Sequence, residues 1–227
     1  MEKQSRLICF IGIDGSGKTT LSKNIVNHLV NKNYNCVYNY GRVKPVISRM
    51  LMAIGRTFFL RRPKSAIYTD YTNYTREKKE KLQNRFYKKL FISSLLIDQI
   101  IQLNYIIRLK KLSGTTIICD RYLHDTIITD IGSNLNYSSD EVVSLIQFGL
   151  RFVPKPDLVF YVDIDEETAF SRKNDVPDIE YLRERRILYK NCSQILKLNV
   201  IDGSKSPDTL CEEVSYSLQS TMGNSNE

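Results

Sequence analysis

The stretch GIDGSGKTT, from Gly12 to Thr20, constrains this chain more than any other feature. It fits G-x-x-x-x-G-K-[ST] and lies between a short apolar run, Leu7 to Ile11, and a segment from Leu21 to Val30 with apolar residues at helical spacing. Strand, glycine loop and helix in that order form a cradle for phosphate. Glycines let successive backbone N–H groups point inward, and the helix N-terminus adds its positive dipole end. Asp14, Gly15, Ser16, Gly17, Lys18, Thr19 and Thr20 form the expected triphosphate site. Lys18 can bridge the β and γ phosphates and the Thr19 hydroxyl can ligate Mg²⁺, so ATP and Mg²⁺ are the expected cofactors. A glycine turn that merely joins strand to helix would not need the complete motif.

Four more apolar, β-branched runs read as buried parallel strands: Asn35 to Tyr40, Thr115 to Cys119, Leu158 to Val162 and Leu198 to Ile201. Helical patterns alternate with them, which predicts an α/β fold: a three-layer P-loop NTPase architecture with a five-stranded parallel sheet flanked by helices. At 227 residues and 42% hydrophobic content the chain can bury one core, so residues 1–220 read as a single domain and 221–227 as a flexible tail. Phe91 to Leu112 is apolar nearly all round and reads as a core helix, whose exceptions Asp98, Gln99, Gln102 and Arg108 need partners or a ligand. In IGSNLNYSSDE, a polar turn, Ser138 or Ser139 is the expected helix cap.

No run of about eighteen uncharged apolar residues occurs and the N-terminus lacks a signal-peptide pattern, which predicts a cytoplasmic protein without a transmembrane segment. The five widely spaced cysteines read as reduced packing residues, with Cys211 exposed. A net charge of +8 fits nucleic acid, an anionic membrane or phosphorylated small molecules. The basic amphipathic helix expected from Pro45 to about Arg61, within the basic stretch Arg42 to Lys64, can serve the first two or cover a pocket for polyphosphates.

The third strand runs into TIICDRY, placing Asp120, Arg121 and Tyr122 at the carboxyl edge of the sheet, where open α/β folds bind ligands. A carboxylate there can hold a magnesium-bound water and an arginine can clamp a phosphate bidentately; a surface ion pair is the plainer alternative.

GIDGSGKTT, GTTIICDRY and PKPDLVFYVDIDEETAFSRK, in that order, resemble the thymidylate kinase family of nucleoside monophosphate kinases. The resemblance implies an ATP-dependent phosphotransferase in nucleotide biosynthesis that converts dTMP to dTDP, and dimers are common in the family. It implies that Asp14 contacts the acceptor nucleotide, that Asp120 and Arg121 handle magnesium water and acceptor phosphate, and that a basic lid, about 171–183, closes over the triphosphate. The family supplies a catalytic arginine from the phosphate loop or from the lid. DGSG holds no basic residue, so the duty falls to the lid: Arg172 first, then Lys173, Arg183 and Arg186. For the last two, a solvated helix face paired with Glu180 and Glu184 is the alternative.

The resemblance also assigns acceptor roles by position. Arg42, Gln99, Arg121 and Tyr122 are the acceptor candidates, with Lys18, Asp120, Arg121 and Arg172 catalytic and Thr19 and Asp120 in the metal shell. Leu95 and Gln99 fall where the family carries a base-stacking phenylalanine and a base-reading arginine; a glutamine amide can still pair with a pyrimidine edge. YNYGRVKP and DRYLHDTIITD depart from the family pattern, and His124 is a further candidate for the acceptor pocket. Another kinase of the same fold, or a nucleotide-dependent ATPase on a membrane or nucleic acid, are the rival readings.

Overall fold

The structure, a computed structural model, describes residues 5–42, 46, 85–173 and 175–223. The basic helix expected from Pro45 to Arg61 lies outside them.

Five strands form one parallel sheet in the order β2-β3-β1-β4-β5: β1 Leu7–Ile11, β2 Cys36–Tyr40, β3 Thr116–Asp120, β4 Leu158–Asp163 and β5 Asn199–Asp202. Every residue of β1 and β3 is buried, because helices cover both faces, which is why β1 and the Ile117–Cys119 centre of β3 are apolar without alternation. Leu7, Cys9 and Ile11 face one core with Ile117, Cys119 and Tyr161; Ile8 and Phe10 face the other with Leu21, Ile25 and Phe160.

The second core is closed by α1 (Lys18–Asn31) and α7 (Pro207–Gly223), which pack on each other. The first is closed by α2 (Arg85–Leu112), the short α3 (Leu123–Asp125), a π-helix (Thr126–Ser133), α4 (Ser139–Gly149) and α6 (Ile179–Ile195), while α5 (Glu166–Ser171) packs on α6. Ser138 caps α4 through a capping box with Glu141, as expected. The segment before it is not simply a turn, since Ile131 to Ser133 finish the π-helix, whose wider turns bury Ile127, Ile128 and Ile131 together.

Three other expectations change. Helix α7 runs to Gly223, so residues 221–223 of the expected tail are helical. Cys211 is buried among Leu210, Val214 and Leu218; all five cysteines are free thiols. Helix α2 is core on one face only: Leu96, Leu103 and Ile107 are buried, whereas Ile97, Ile101, Tyr105 and Leu109 are 45–69% exposed. By length and composition its Lys88–Leu112 stretch is apolar enough to cross a membrane, yet it carries buried Asp98 and Gln99 and packs on β3. Its polar exceptions have protein partners: Asp98 accepts from the Val46 amide, and Arg108 donates to Asn104.

Candidate active site

Parallel register sets Phe10 beside Asp120, and Asp120 beside Tyr40. The carboxyl ends of β1, β3 and β2 therefore bring the glycine loop, Asp120-Arg121 and Gly41-Arg42 to one edge of the sheet. There a cavity of about 560 Å³ opens, lined by Asp14, Lys18, Thr19, Arg42, Arg121 and Arg172 among others.

The loop is built for close approach. Gly15 takes φ +84, and a Cβ there would stand 2.2 Å from the Ala169 carbonyl oxygen, so only glycine lets the loop lie against α5. Lys18 is 4% exposed and donates to the Ile13 carbonyl at 2.5 Å and the Ser16 hydroxyl at 3.0 Å. Burial, reinforced by the Arg121 charge, lowers its pKa to about 8. Ser16 thus lies under the lysine and does not line the cavity, whereas Gly15, Gly17, Thr19 and Thr20 do.

Asp120 is fully buried at the end of β3. Its Oδ2 accepts from the Thr19 hydroxyl at 2.5 Å and the Tyr38 hydroxyl at 3.0 Å, while Oδ1 has no partner among the described residues. Tyr38, which sequence reasoning missed, keeps its proton because burial and the Asp120 charge both push its pKa up. A hydroxyl and a carboxylate side by side, with one orphaned buried oxygen, suit a hard divalent cation that retains most of its waters. The described residues contain no cluster of three or more His, Cys, Asp or Glu placed to hold a metal.

Arg121 and Arg42 face the cavity from β3 and β2. Arg121 pairs with Asp14 through Nη2 and, at 3.3 Å, with Asp125 through Nη1. Burial works against the Asp14 carboxylate, but the Arg121, Lys18 and Arg42 charges together outweigh it and leave its pKa below the usual value. Arg42 pairs with Asp130 of the π-helix at 2.8 Å, and that carboxylate raises the arginine's pKa.

Two acceptor candidates point elsewhere. Gln99 is 1% exposed; its amide nitrogen donates to the Gly41 carbonyl at 3.1 Å and its oxygen accepts from Thr126 at 3.0 Å. Both ends are therefore engaged, one holding the residue after β2 and the other the start of the π-helix. Tyr122 is buried and donates its hydroxyl to the Pro154 carbonyl at 2.5 Å, because the left-handed backbone of Arg121, φ 71, turns the next side chain into the core. Leu95 packs against that same core. His124 is 2% exposed, outside the cavity lining, and burial lowers its pKa to about 4.

Arg172 and Lys173 line the cavity from the end of α5, and Arg172 also reaches the Gly203 carbonyl at 3.3 Å. Arg183 and Arg186 are committed below them. Arg183 holds Glu166 at 2.9 Å and Glu180 at 2.8 Å; Arg186 holds Asp163 at 2.9 Å and Glu166 at 2.8 Å. They brace α6 against β4 and α5. Tyr40 and Tyr181, not foreseen from sequence, supply aromatic surface to the cavity wall.

Comparison with known proteins bears on the family of the chain. A family model described as thymidylate kinase matches residues 43–214. The thymidylate kinase of Acholeplasma laidlawii is 30% identical over 89% of this chain and 93% of its own length. The thymidylate kinase of Ligilactobacillus salivarius is 23% identical over 96% of this chain and its whole length, and the probable thymidylate kinase of Archaeoglobus fulgidus 26% over 95% and 96%. The chain belongs to the thymidylate kinase family.

Proposed function

We propose that this protein is an ATP-dependent nucleoside monophosphate kinase that phosphorylates dTMP to dTDP. The observation that carries the reading is the convergence of Lys18 and Thr19 with Arg42 and Arg121 around one cavity, a triphosphate cradle facing two arginines. Family membership supports dTMP as the acceptor.

In this mechanism the backbone amides from Gly15 to Thr20 and the Lys18 ammonium hold the donor phosphates. The two arginines hold the acceptor phosphate, with Asp14 beside them. Thr19 and Asp120, whose Oδ1 has no partner among the described residues, would hold Mg²⁺, which would supply charge neutralisation to the donor phosphates. An acceptor phosphate oxygen attacks the γ phosphorus in line; the new P–O bond forms as the bond to the β–γ bridging oxygen breaks, and ADP leaves. Charge on the migrating phosphoryl group is met by Lys18 and, from the lid, by Arg172. Closure of the expected lid, the basic segment after Ser171, would exclude water, which otherwise accepts the phosphoryl group.

The test is a panel of nucleoside monophosphates, nucleosides and phosphorylated metabolites with ATP and Mg²⁺, read by ADP release and product mass. The proposal expects dTDP as the dominant product. Turnover of another acceptor with no dTMP turnover above background ATPase would overturn it.

The exposed row Ile97, Ile101, Tyr105 and Leu109, at four-residue spacing on α2, adjoins Phe152, whose carbonyl accepts from Asn104. Its occupant in this proposal is the same row of a second copy, making the enzyme a cytoplasmic homodimer about a twofold axis. Light scattering should give twice the 26.4 kDa chain mass, falling to one chain for Ile101→Glu; a monomeric wild type would refute the dimer.

A further inference from the structure

Arg121 occupies a costly position. Its φ of 71 lies in the left-handed region, a strained conformation for a residue with a side chain. Such a conformation persists only where its surroundings over-determine it. Asp14 holds one end of the guanidinium, but Asp14 itself borders the cavity. The other hold lies wholly behind the cavity.

That hold is Asp125, 1% exposed and four residues on. Its Oδ1 meets Arg121 Nη1 at 3.3 Å and accepts the Tyr189 hydroxyl at 2.6 Å; its Oδ2 accepts the Tyr122 amide at 3.1 Å. Three donors on one buried carboxylate fix its plane, and through it the direction of the arginine. Tyr189 is itself fully buried, its ring stacked on Tyr161 at 5.7 Å between centroids and 5° between planes. It comes from α6, the helix into which the expected lid runs and which is pinned to the end of β4 by Arg186 and Asp163. Neither Asp125 nor Tyr189 lines the cavity.

We propose that the buried Asp125–Tyr189 pair is the positioning device for Arg121: it holds Nη1 of the guanidinium from behind, so that the side bordering the cavity next to Asp14 stays aimed at the acceptor phosphate. Asp125 and Tyr189 are positioning residues, acting through Arg121 without touching substrate. Because Tyr189 rides on the helix behind the lid, the acceptor arginine is aimed from the lid side of the molecule. The inference rests on the reading of Arg121 as the acceptor-phosphate ligand.

Tyr189→Phe in the full chain removes one hydroxyl and keeps the ring stack. A hydrogen bond to a charged group governs about ten- to hundredfold in an equilibrium. The KM for dTMP should therefore rise about tenfold or more, with the KM for ATP and the ATP hydrolysis rate without acceptor within twofold of wild type. Asp125→Asn keeps the shape but loses the charge facing Arg121, and should raise the dTMP KM likewise. The double variant should be no worse than the poorer single one.

An unchanged dTMP KM in Tyr189→Phe, a parallel rise in both KM values, or additive effects in the double variant would overturn the inference. If Tyr189→Phe yields no folded protein, the same two KM values for Asp125→Asn decide. Failure of both variants to fold would make the pair a core requirement alone and also overturn it. A wild-type protein that does not phosphorylate dTMP refutes the proposed function instead, so the two failures are distinct.

Discussion

Gly41→Ala is the most exacting test of how the acceptor side is built. The glycine ends β2, its amide donates to the Asp120 carbonyl at 2.9 Å, and its own carbonyl accepts from Gln99 at 3.1 Å. A Cβ at this position would stand 2.2 Å from the Arg121 carbonyl oxygen and 2.7 Å from Cys119 Sγ, where ordinary contact begins at 3.4 Å. The end of β2 must therefore retreat by about 1 Å, and it cannot do so without weakening one of its two anchors. Overpacking costs about 1–3 kcal/mol and a weakened hydrogen bond about 1 more, so the loss is roughly 2–4 kcal/mol. For a chain of this size that lowers Tm by roughly 4–16 °C. Arg42, the next residue, moves with the strand, and a misplacement of about 1 Å in a positioning group costs on the order of a hundredfold in kcat/KM. Calorimetry and dTMP kinetics read both effects, while ATP hydrolysis without acceptor should change little. An unaltered Tm with an unaltered dTMP KM would refute the reasoning. So would full recovery on adding Cys119→Ala, because the carbonyl obstacle remains in that double variant.

Lys18→Ala should abolish phosphoryl transfer to any acceptor and weaken ATP binding, whereas Arg121→Lys, which loses the two-sided fork between Asp14 and Asp125, should raise the dTMP KM and leave ATP affinity intact by calorimetry. His124 is buried neutral with its pKa lowered to about 4 from 6.5, so its contribution to stability is whole above pH 6.5 and is lost as pH falls toward 4. That loss is about 3 kcal/mol at the lower limit, and His124→Gln should flatten the decline of the urea midpoint over that window. Glu166, held by Arg186 and Arg183, has its pKa lowered to about 2 from 4.5. Its contribution is present above pH 4.5 and fades as pH falls through 2, so the Tm gap between wild type and Glu166→Gln should narrow from pH 5 to pH 2.

The sheet could be read from sequence because its central strands are buried on both faces, so burial wrote itself into residues 7–11 and 117–119 as unbroken apolar runs. The donor site was legible because backbone geometry dictates glycine and lysine spacing locally. Asp120 and Arg121 were legible because a strand end fixes which edge they occupy. Tyr122 was not, since its direction depends on the left-handed turn at Arg121, which no apolar pattern records. Asp125 left a faint trace, a carboxylate four residues after an arginine. Tyr189 left none, for its partner lies 64 residues away and the contact is between helices. Helix α2 shows a different limit: apolar residues all round cannot say which face meets the core and which meets another surface.

The π-helix from Thr126 to Ser133 makes this corner of the protein sensitive to chain length as well as to residue type. A π turn accommodates an extra residue that an α turn does not. Losing one residue between Thr126 and Asp130 would let the segment relax into α-helix and swing Asp130 by about 100° around the axis. Arg42 would then lose the carboxylate that now stands 2.8 Å away. A single-codon deletion here would thus act as an arginine-site mutation without altering any arginine, and descendants that shed the residue would have to find a new counter-ion for Arg42.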